Sequence, residues 1–349
     1  MRHTELPIPP GPLRRATDRP TRRKLVVTIP CLNEEMTVER VVAGVPRRLP
    51  GIDEVEVIVL DDGSTDSTAE RARAAGATVV RHETNLGLGR TFRDGVRSAL
   101  EARAHLLLCI DGDGQFDPGD IPALVEPVVA GQADMVTASR FARADLEPDM
   151  PAIKRWGNRC VARIVQLLTG ERFHDVSCGF RVFSREALLR LNLFGTFTYT
   201  QETFLDLVFK GLRVIEIPVR VRGTREFGSS RVASNIPRYA VRSLLIMLRA
   251  FISYRPFRLF STLAALFAAV GLPLLVFLLY HYLTSGAFTP HVWAGFVGGS
   301  FGFLSVLTLV IGLIGDMLVR LRMNQEEVLY SLKRARLEAA AGGAGGETG

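Results

Sequence analysis

The stretch His105-Leu106-Leu107-Leu108-Cys109-Ile110-Asp111-Gly112-Asp113-Gly114-Gln115 joins an apolar run directly to two aspartates. The run has the length and composition of a buried strand, and the aspartates follow its carboxyl end. Two carboxylates two residues apart in an extended turn can hold one hard divalent cation, and Gln115 adds a carbonyl oxygen. An Asp-x-Asp pair alone is a weak signal, but its place after an apolar strand makes it informative.

Two more acidic clusters follow apolar runs earlier in the chain. Pro30-Cys31-Leu32-Asn33-Glu34-Glu35 comes after one run, and Asp61-Asp62-Gly63-Ser64-Thr65-Asp66 comes after the next. Each cluster alone could be a helix cap, because Ser and Asp commonly occupy that position. Parallel strands bring their carboxyl ends to one edge of a sheet, so the convergence of three clusters favours a binding site.

The apolar pattern predicts an α/β fold of the Rossmann-like class, with a largely parallel sheet covered by helices on both faces. The predicted strands are Leu25–Ile29, Val55–Leu60, Thr78–Arg81, Leu106–Ile110, Met135–Ala138 and Val214–Val221. Helical stretches are predicted at 35–48, 65–75, 89–103, 120–130, 153–169 and 200–210. Ligands of such sheets bind beyond the carboxyl ends of the strands.

Several other classes of site are disfavoured. The chain has no GxxxxGK[ST] phosphate loop, and Gly87-Leu88-Gly89 fails the dinucleotide fingerprint because Phe92 replaces the third glycine. The four cysteines show neither paired spacing nor the short intervals of a zinc site, which indicates reduced cytosolic thiols. The net charge of +7 could suit nucleic acid, but no reading module is visible, so nucleic acid is not an expected partner.

The C-terminal third has the composition of a membrane anchor. Leu259–Leu283 and Trp293–Gly315 each lack Asp, Glu, Lys and Arg, and each is long enough to cross a bilayer. The residues before them, 236–258, place arginines among apolar residues and predict a juxtamembrane amphipathic helix. The predicted organisation is a disordered basic arm at 1–23, a catalytic domain at 24–235, this helix, two transmembrane helices within 259–319 and a tail at 320–349.

The distribution of positive charge predicts the topology of the anchor. The connection 284–291 has no Lys or Arg, whereas basic residues flank the helix pair on both sides. By the positive-inside rule, both the catalytic domain and the tail face the cytoplasm of a multi-pass cell-membrane protein. Small residues that could support close helix packing, and with it a homo-oligomer, are Gly295, Gly298, Gly299 and Gly302.

Taken together, the motifs PCLNEE, DDGSTD, NLGLG, DGDGQFDP and Ser139-Arg140 resemble those of the inverting family 2 glycosyltransferases with the GT-A fold. The likeness is greatest to the dolichyl- and polyprenyl-phosphate sugar synthases, and it covers about residues 24–235. Downstream pieces extend it, including residues 175–181 (DVSCGFR), Glu216-Ile217-Pro218 and Gly228-Ser229-Ser230-Arg231. Many of these synthases have lysine where this chain has Arg231.

The resemblance implies a transfer of a hexose-type sugar from a UDP- or GDP-sugar to polyprenyl phosphate. It implies a nucleotide-sugar site formed by Pro30, Asn33, Glu34, Asp61, Asp62, Asp111 and Asp113. The metal, Mg²⁺ or Mn²⁺, would be held by Asp111, Asp113 and Gln115. The acceptor phosphate would be bound by Arg140, Arg181 and Arg231. The catalytic residues would be Asp113, Arg140 and Arg231.

Two alternatives stay open from the sequence. A lipid hydroxyl acceptor would require a general base, for which Asp113, Asp175 and Glu202 are candidates. A phosphate acceptor requires none, because its second pKa is about 6 and it is largely ionised at neutral pH. The other alternative is a membrane-tethered module that binds sugar nucleotides without turnover. A processive polysaccharide synthase is disfavoured, because the chain has no Gln-x-x-Arg-Trp segment.

Overall fold

The computed structural model describes residues 22–192, 199–223, 226–227, 245, 248, 251–252 and 254–343. Arg231 lies outside these residues, as do nearly all of the predicted N-terminal arm and most of the predicted 236–258 helix. The chain divides into two compact units, residues 1–247 with 330–349, and residues 248–329.

The first unit is built on a seven-stranded mixed sheet in the order β3-β2-β1-β4-β6-β5-β7. The strands are β1 Lys24–Cys31, β2 Glu54–Asp61, β3 Thr78–Arg81, β4 Leu106–Cys109, β5 Met135–Ser139, β6 Arg181–Ser184 and β7 Val214–Pro218. β1, β2, β3 and β4 pair in parallel, and β5 pairs in parallel with β7. The predicted α/β fold is therefore confirmed, with the four parallel strands β3-β2-β1-β4 as its Rossmann-like part.

The exception to the parallel arrangement is β6, which runs antiparallel between β4 and β5. The sequence analysis did not predict this strand. Its four residues, Arg181-Val182-Phe183-Ser184, are all buried, so they show no alternation of apolar and polar side chains. A strand this short, which begins with an arginine, has almost no periodic signal.

Helices cover the sheet and bury its apolar side chains. They are α1 Val38–Gly44, α2 Thr68–Ala74, α3 Leu88–Glu101, α4 Ile121–Val129, α5 Ala152–Thr169, α6 Arg185–Arg190 and α7 Thr200–Phe209. Alternate β1 residues Leu25, Val27 and Ile29 are fully buried in one core cluster that also contains side chains of α1 and α4. The period of two along β1 thus directs one face of the strand to these helices.

The two apolar segments form the helices α8 Pro256–Ser285 and α9 Val292–Gly343, as predicted, and both are long and apolar enough to cross a membrane. Within the second unit they pack closely through glycine. A Cβ on Gly271 would lie 2.9 Å from the Gly298 carbonyl oxygen, and a Cβ on Gly295 would lie 2.7 Å from Leu278 Cδ2. Three of the four glycines predicted to support helix packing, Gly295, Gly298 and Gly302, therefore face the neighbouring helix of the same chain.

The helix α9 continues well past residue 320, where the sequence analysis began the tail. Its last turns contact α6 within the first unit. Tyr330 is buried, and its hydroxyl donates to Glu186 Oε2 at 3.0 Å. Lys333 Nζ donates to the carbonyl oxygens of Leu189 and Leu191 at 3.2 and 3.0 Å, and these carbonyls lie at the end of α6, where a cation is favourable.

Candidate active site

The Asp-x-Asp turn follows β4 at the carboxyl edge of the parallel strands. Asp113 is buried, and its Oδ1 accepts a hydrogen bond of 3.0 Å from the Gln115 backbone N–H. Thr37 at the start of α1 donates from its hydroxyl to the Gly112 carbonyl oxygen at 2.6 Å. Gly114 has φ +71°, a left-handed conformation that glycine adopts without strain. The turn is therefore held in one conformation from several sides.

Two glycines allow close approach around this turn. A Cβ on Gly112 would lie 2.4 Å from Cys31 Sγ, so no larger residue fits between β1 and the turn. A Cβ on Gly179 would lie 3.1 and 3.2 Å from the two carboxylate oxygens of Asp111. The absence of a side chain at Gly179 thus allows the Asp111 carboxylate to lie close to the backbone.

The donor set of the turn fits a hard divalent cation. Asp111, Asp113 and Gln115 offer only oxygen, the ligand that Mg²⁺ and Mn²⁺ prefer. The Gln115 amide nitrogen donates to the Arg222 carbonyl oxygen at 2.9 Å, so its Oε1 is the atom that could serve as a ligand. Among the described residues, no three Asp, Glu, His or Cys side chains form a ready cluster for a metal. A cation here would complete its coordination with water and substrate phosphate.

The predicted nucleoside residues lie after β1 and β2 on the same edge. Asn33 has φ +52° and accepts from the Thr65 N–H at 2.8 Å, which ties the two loops together. Asp61 is fully buried, and its Oδ1 accepts from the Ser64 N–H at 2.9 Å. Within the described part of the chain, Asp61 Oδ2 accepts no hydrogen bond, although Arg81 Nε lies 3.2 Å away. This oxygen therefore takes part in an ion pair with Arg81, and it can still accept a hydrogen bond from a ligand N–H or hydroxyl.

Pro30 is the second-last residue of β1, paired with Leu60 of β2, and Glu34 begins the turn into α1. The backbone N–H of Glu34 donates to Thr68 Oγ1 at 2.9 Å. The Cys31 thiol shows how closely the acidic residues gather. Burial raises its pKa first, and the charges of Glu34, Asp61, Asp111 and Asp113 raise it further. The three acidic clusters that the sequence predicted to converge do so around this thiol.

Asp62 has a different role from the predicted nucleotide contact. Its Oδ1 accepts from the Leu86 N–H at 2.9 Å and lies 2.8 Å from His82 Nδ1, and its Oδ2 accepts from the Gly87 N–H at 2.9 Å. The side chain is buried, and both oxygens are used by the loop that leads into α3. Asp62 therefore holds the Asn85-Leu86-Gly87 loop in place.

Arg140 lies at the end of β5 in a network with the carboxylate of Asp175. Its Nε donates to Asp175 Oδ2 at 2.6 Å, and its NH2 donates to Asp175 Oδ1 at 2.9 Å and to Ser177 Oγ at 2.8 Å. Asp175 is itself held by Glu216 of β7, which accepts from the Asp175 N–H at 2.7 Å. Ser177 donates to Asn158 of α5 at 3.0 Å. The guanidinium is thus fixed in orientation by four elements of the fold.

The Asp175 carboxylate is poorly suited to act as a base. Burial alone would raise its pKa, but the charge and hydrogen bonds of Arg140 outweigh that effect and hold the pKa below its usual value. Both oxygens already accept hydrogen bonds from Arg140. Glu202, the other candidate general base outside the Asp-x-Asp loop, lies in the first helical turn of α7.

Arg181 departs from its predicted acceptor contact. It is fully buried at the start of β6, and its guanidinium donates to the carbonyl oxygens of Cys178, Thr200 and Val176 at 2.7, 2.7 and 3.0 Å. The guanidinium carbon also lies 4.6 Å from the centroid of the Phe204 ring. The physical reason is the position of β6 between β4 and β5, where both faces of the strand are covered and all four of its side chains are buried. Arg181 therefore supports the backbone beneath the site.

One cavity connects the Asp-x-Asp turn with the Arg140 network. Its polar lining is formed by Asp111, Gln115, Arg140, Ser177, Gly179 and Arg222, and its apolar lining includes Phe116, Pro148, Met150 and Val221. Sequence reasoning placed Asp111, Gln115 and Arg140 here, but it did not find Ser177, Gly179 or Arg222 as lining residues. The motif around residues 175–181 was the available signal, yet it could not show which of its side chains face inward.

Comparisons with known proteins agree with this architecture. Residues 26–191 match the family model described as glycosyl transferase family 2. The polyprenol monophosphomannose synthase of Mycolicibacterium smegmatis is 31% identical over 232 residues, which cover 63% of this chain and 85% of that protein. The undecaprenyl-phosphate 4-deoxy-4-formamido-L-arabinose transferase of Pseudomonas paraeruginosa is 30% identical over 325 residues, covering 89% and 87% of the two chains.

Among solved structures, the glucosyl-3-phosphoglycerate synthase of Mycobacterium tuberculosis, in complex with Mn²⁺, UDP and phosphoglyceric acid, is similar with a TM-score of 0.52. It is 26% identical, and the similarity covers 66% of this chain and 78% of that one. These matches cover the sheet whose carboxyl edge, with Asp61, Asp111 and Asp113, forms what we call the acidic edge, and they also cover Arg140. The chain is therefore a glycosyltransferase and belongs to glycosyltransferase family 2, among its polyprenyl-phosphate sugar synthase-like members.

Proposed function

We propose that this chain transfers a hexose-type sugar from a UDP- or GDP-sugar to a polyprenyl phosphate at the cytoplasmic face of a membrane, with inversion and with a divalent metal. The observation that carries the proposal is the cavity lined by both Asp111 of the Asp-x-Asp turn and Arg140. A donor diphosphate at the turn and an acceptor phosphate at the arginine would share this space. Relatives named for polyprenol and undecaprenyl-phosphate products support the choice of acceptor.

The acidic edge would bind the donor. Asp111, Asp113 and Gln115 would hold Mg²⁺ or Mn²⁺ against the diphosphate, and the bound cation would supply electrostatic stabilisation of the leaving diphosphate. Pro30, Asn33, Glu34 and Asp61 would contact the base and ribose. The solved neighbour that contains both Mn²⁺ and UDP supports a divalent metal. Asp62 would act on the donor only indirectly, through the loop that it holds.

Arg140 would bind and orient the acceptor phosphate, with Arg231 as a second cation. An ionised phosphate oxygen is itself the nucleophile and needs no side-chain base, because the second pKa of a phosphate monoester is about 6. This matches a site in which the Asp175 carboxylate is committed to Arg140. A fixed guanidinium can align that oxygen with the anomeric carbon on the side opposite the leaving diphosphate, which is the geometry that inversion requires.

The proposal extends to the organisation of the chain at the membrane. Residues 24–235 would form the catalytic domain, 236–258 a juxtamembrane helix, and α8 and α9 the two spans, with residues 284–291 outside the cytoplasm. Ser285→Cys in a background without the native cysteines should react with an impermeant thiol reagent added from outside. A cysteine at Arg336 should react only after the membrane is opened. The reverse pattern would contradict the topology.

The central experiment supplies the purified full chain in lipid nanodiscs with labelled UDP- and GDP-sugars, polyprenyl phosphate and Mg²⁺ or Mn²⁺. The expected product is a sugar-phosphate-polyprenol, identified by its mass, and it should not form when a chelator is present. Transfer to diacylglycerol or ceramide in place of the phosphate would identify a lipid-hydroxyl acceptor. Binding of sugar nucleotide without transfer to either acceptor would identify a non-catalytic module.

A further inference from the structure

The helix α5 exposes an apolar stripe that nothing in the donor or acceptor site uses. Ile153, Trp156 and Leu167 are 52%, 65% and 84% exposed. Together with the half-buried Cys160 and Ile164, they form a series with spacings of three or four residues, which places all five on one face of the helix. Single exposed apolar residues are ordinary, but a tryptophan and a leucine exposed to this degree on one stripe are typical of an interaction surface.

The charges around the stripe indicate the chemistry of the partner. The helix α5 carries Lys154, Arg155, Arg159 and Arg163 and has no acidic residue. Arg163 and Arg159 lie beside the stripe, and Arg159 is exposed even though it contacts Glu147 at 3.1 Å. Here an apolar face with a tryptophan is flanked by arginines, whose aliphatic stems can lie along apolar surface while the guanidinium groups reach polar headgroups. This pattern is typical of a helix that lies in a membrane interface.

The opposite face of α5 leads to the candidate active site. Ala162 and Val165 are buried against the rest of the first unit. Asn158 accepts a hydrogen bond from the Ser177 hydroxyl, which in turn accepts one from Arg140. The segment before the helix, with Pro148 and Met150, lines the cavity. The same helix therefore presents an apolar stripe outward and supports the arginine network inward.

We propose that the exposed stripe of α5 lies in the headgroup region of a bilayer that contains anionic lipid, and that it brings the cavity to the level of a lipid-borne phosphate. The occupant is the lipid surface, because the stripe combines apolar area with basic flanks and because the chain carries two helices long enough to cross a membrane. The functional part of this inference rests on the proposed acceptor, whereas the location of the stripe does not.

The test uses the two tryptophans of the chain, Trp156 and Trp293. In the full chain with Trp293→Phe, Trp156 is the remaining reporter. The protein is reconstituted into vesicles of phosphatidylcholine and phosphatidylglycerol with brominated acyl chains. We expect a blue-shifted Trp156 emission that loses at least about half its intensity to the bromines, because a ring at this depth lies next to the acyl chains. A matched control in the same Trp293→Phe background, in which Trp156→Phe is combined with Arg71→Trp on α2, should show neither effect.

Two outcomes would overturn the proposal. Emission of Trp156 that is red-shifted and quenched by aqueous iodide would place the stripe in water. Emission that is blue-shifted and protected from iodide, yet unaffected by the bromines, would indicate a protein partner such as a second copy. Because fluorescence needs no turnover, these results stand whether or not polyprenyl phosphate is the acceptor.

A second variant measures the contribution to catalysis. Leu167→Glu should raise the KM for a long-chain polyprenyl phosphate in nanodiscs about tenfold, since a buried charge opposes insertion of the stripe. The KM for sugar nucleotide, and the rate with a short water-soluble prenyl phosphate, should stay within twofold. An equal loss with both acceptors would show that the variant damages the site itself, and it would refute the membrane role.

Discussion

The acidic edge of the sheet and the arginine network across the cavity differ in how their charges are balanced. At the acidic edge, burial and then the charges of four nearby carboxylates raise the pKa of the Cys31 thiol. Asp61 Oδ2 lies 3.2 Å from Arg81 Nε in an ion pair but accepts no hydrogen bond from the described residues. Across the cavity, Arg140 and Asp175 neutralise each other through two hydrogen bonds. In the proposed function the first region receives a cation and the donor, whereas the second presents an arginine that Asp175 has already oriented. Substitutions in the two regions should therefore have different kinetic signatures.

The largest effect on rate is expected at the acidic edge. Asp113→Ala removes a carboxylate that we propose as a metal ligand, and its contribution should be greatest as the diphosphate leaves. Turnover should fall at least about 100-fold, equivalent to about 2.7 kcal/mol of transition-state stabilisation. The measurement is the initial rate against metal and acceptor concentration, with chelator controls. Binding of the nucleoside alone should change little.

A matched acidic control lies outside the site. Asp145 is exposed and pairs with Arg143, so Asp145→Ala should leave turnover and metal dependence unchanged. Full activity of Asp113→Ala in the presence of chelator would remove the metal assignment. It would leave the assignment of the chain to its family untouched, because that rests on the sequence and structural matches.

A smaller effect is expected when the arginine itself is removed. Arg140→Ala deletes a charge-assisted contact to the acceptor phosphate, and such contacts contribute about 1.5–3 kcal/mol. We expect the acceptor KM to rise about 30-fold, with the KM for sugar nucleotide within threefold of the wild type. Arg140→Lys should recover part of this loss but not all, because lysine cannot bind Asp175 and phosphate with a planar fork. An unchanged acceptor KM in Arg140→Ala would remove this residue from the acceptor site.

The positioning carboxylate should matter less than the arginine that it holds. Asp175→Asn keeps the shape but loses the charge, so we expect the acceptor KM to rise about fivefold. Stability gives an independent readout. Because the folded pKa of Asp175 is lowered, its stabilising contribution is present above the unfolded pKa, about 3.9, and is lost as pH falls through the lower folded value. The difference in unfolding free energy between wild type and Asp175→Asn should be constant from pH 7 to about 4 and shrink below that.

The acidic edge was more predictable from sequence than the arginine side, and the reason is physical. Asp61, Asp111 and Asp113 follow parallel strands, and parallel strands necessarily bring their carboxyl ends to one edge. Arg181 begins an antiparallel strand of four residues, and neither its direction nor its face could be read from so short a segment. Likewise, Asp62 follows Asp61 directly, so consecutive side chains point to opposite sides and only one of them can face the site.

The same reasoning explains two features of the periphery. The apolar stripe on α5 is exposed because another face of the helix packs against the rest of the first unit. Apolar residues occur on both faces, so their spacing alone does not predict which face is buried. The contacts of Tyr330 and Lys333 in α9 with α6 join segments more than 140 residues apart. Local sequence patterns contain no record of such distant pairings.

The smallest effect on acceptor kinetics, with a large effect on stability, is expected at Arg181. The sequence motif assigned Arg140 and Arg181 to the same phosphate, but in the structure Arg181 donates to three backbone carbonyls and does not line the cavity.

Arg181→Met keeps much of the side-chain volume and removes every donor, which leaves buried carbonyls without partners. We expect the free energy of unfolding of the sheet unit to fall by about 2–4 kcal/mol, measured by denaturant titration. Arg48→Met, at an exposed position between α1 and β2, should change it by less than about 0.5 kcal/mol. For the folded fraction of Arg181→Met, the acceptor KM should stay within twofold of the wild type. If the acceptor KM instead rose as steeply as in Arg140→Ala while stability was unchanged, Arg181 would contact the phosphate after all, and the acceptor region would have to rearrange when its substrate binds.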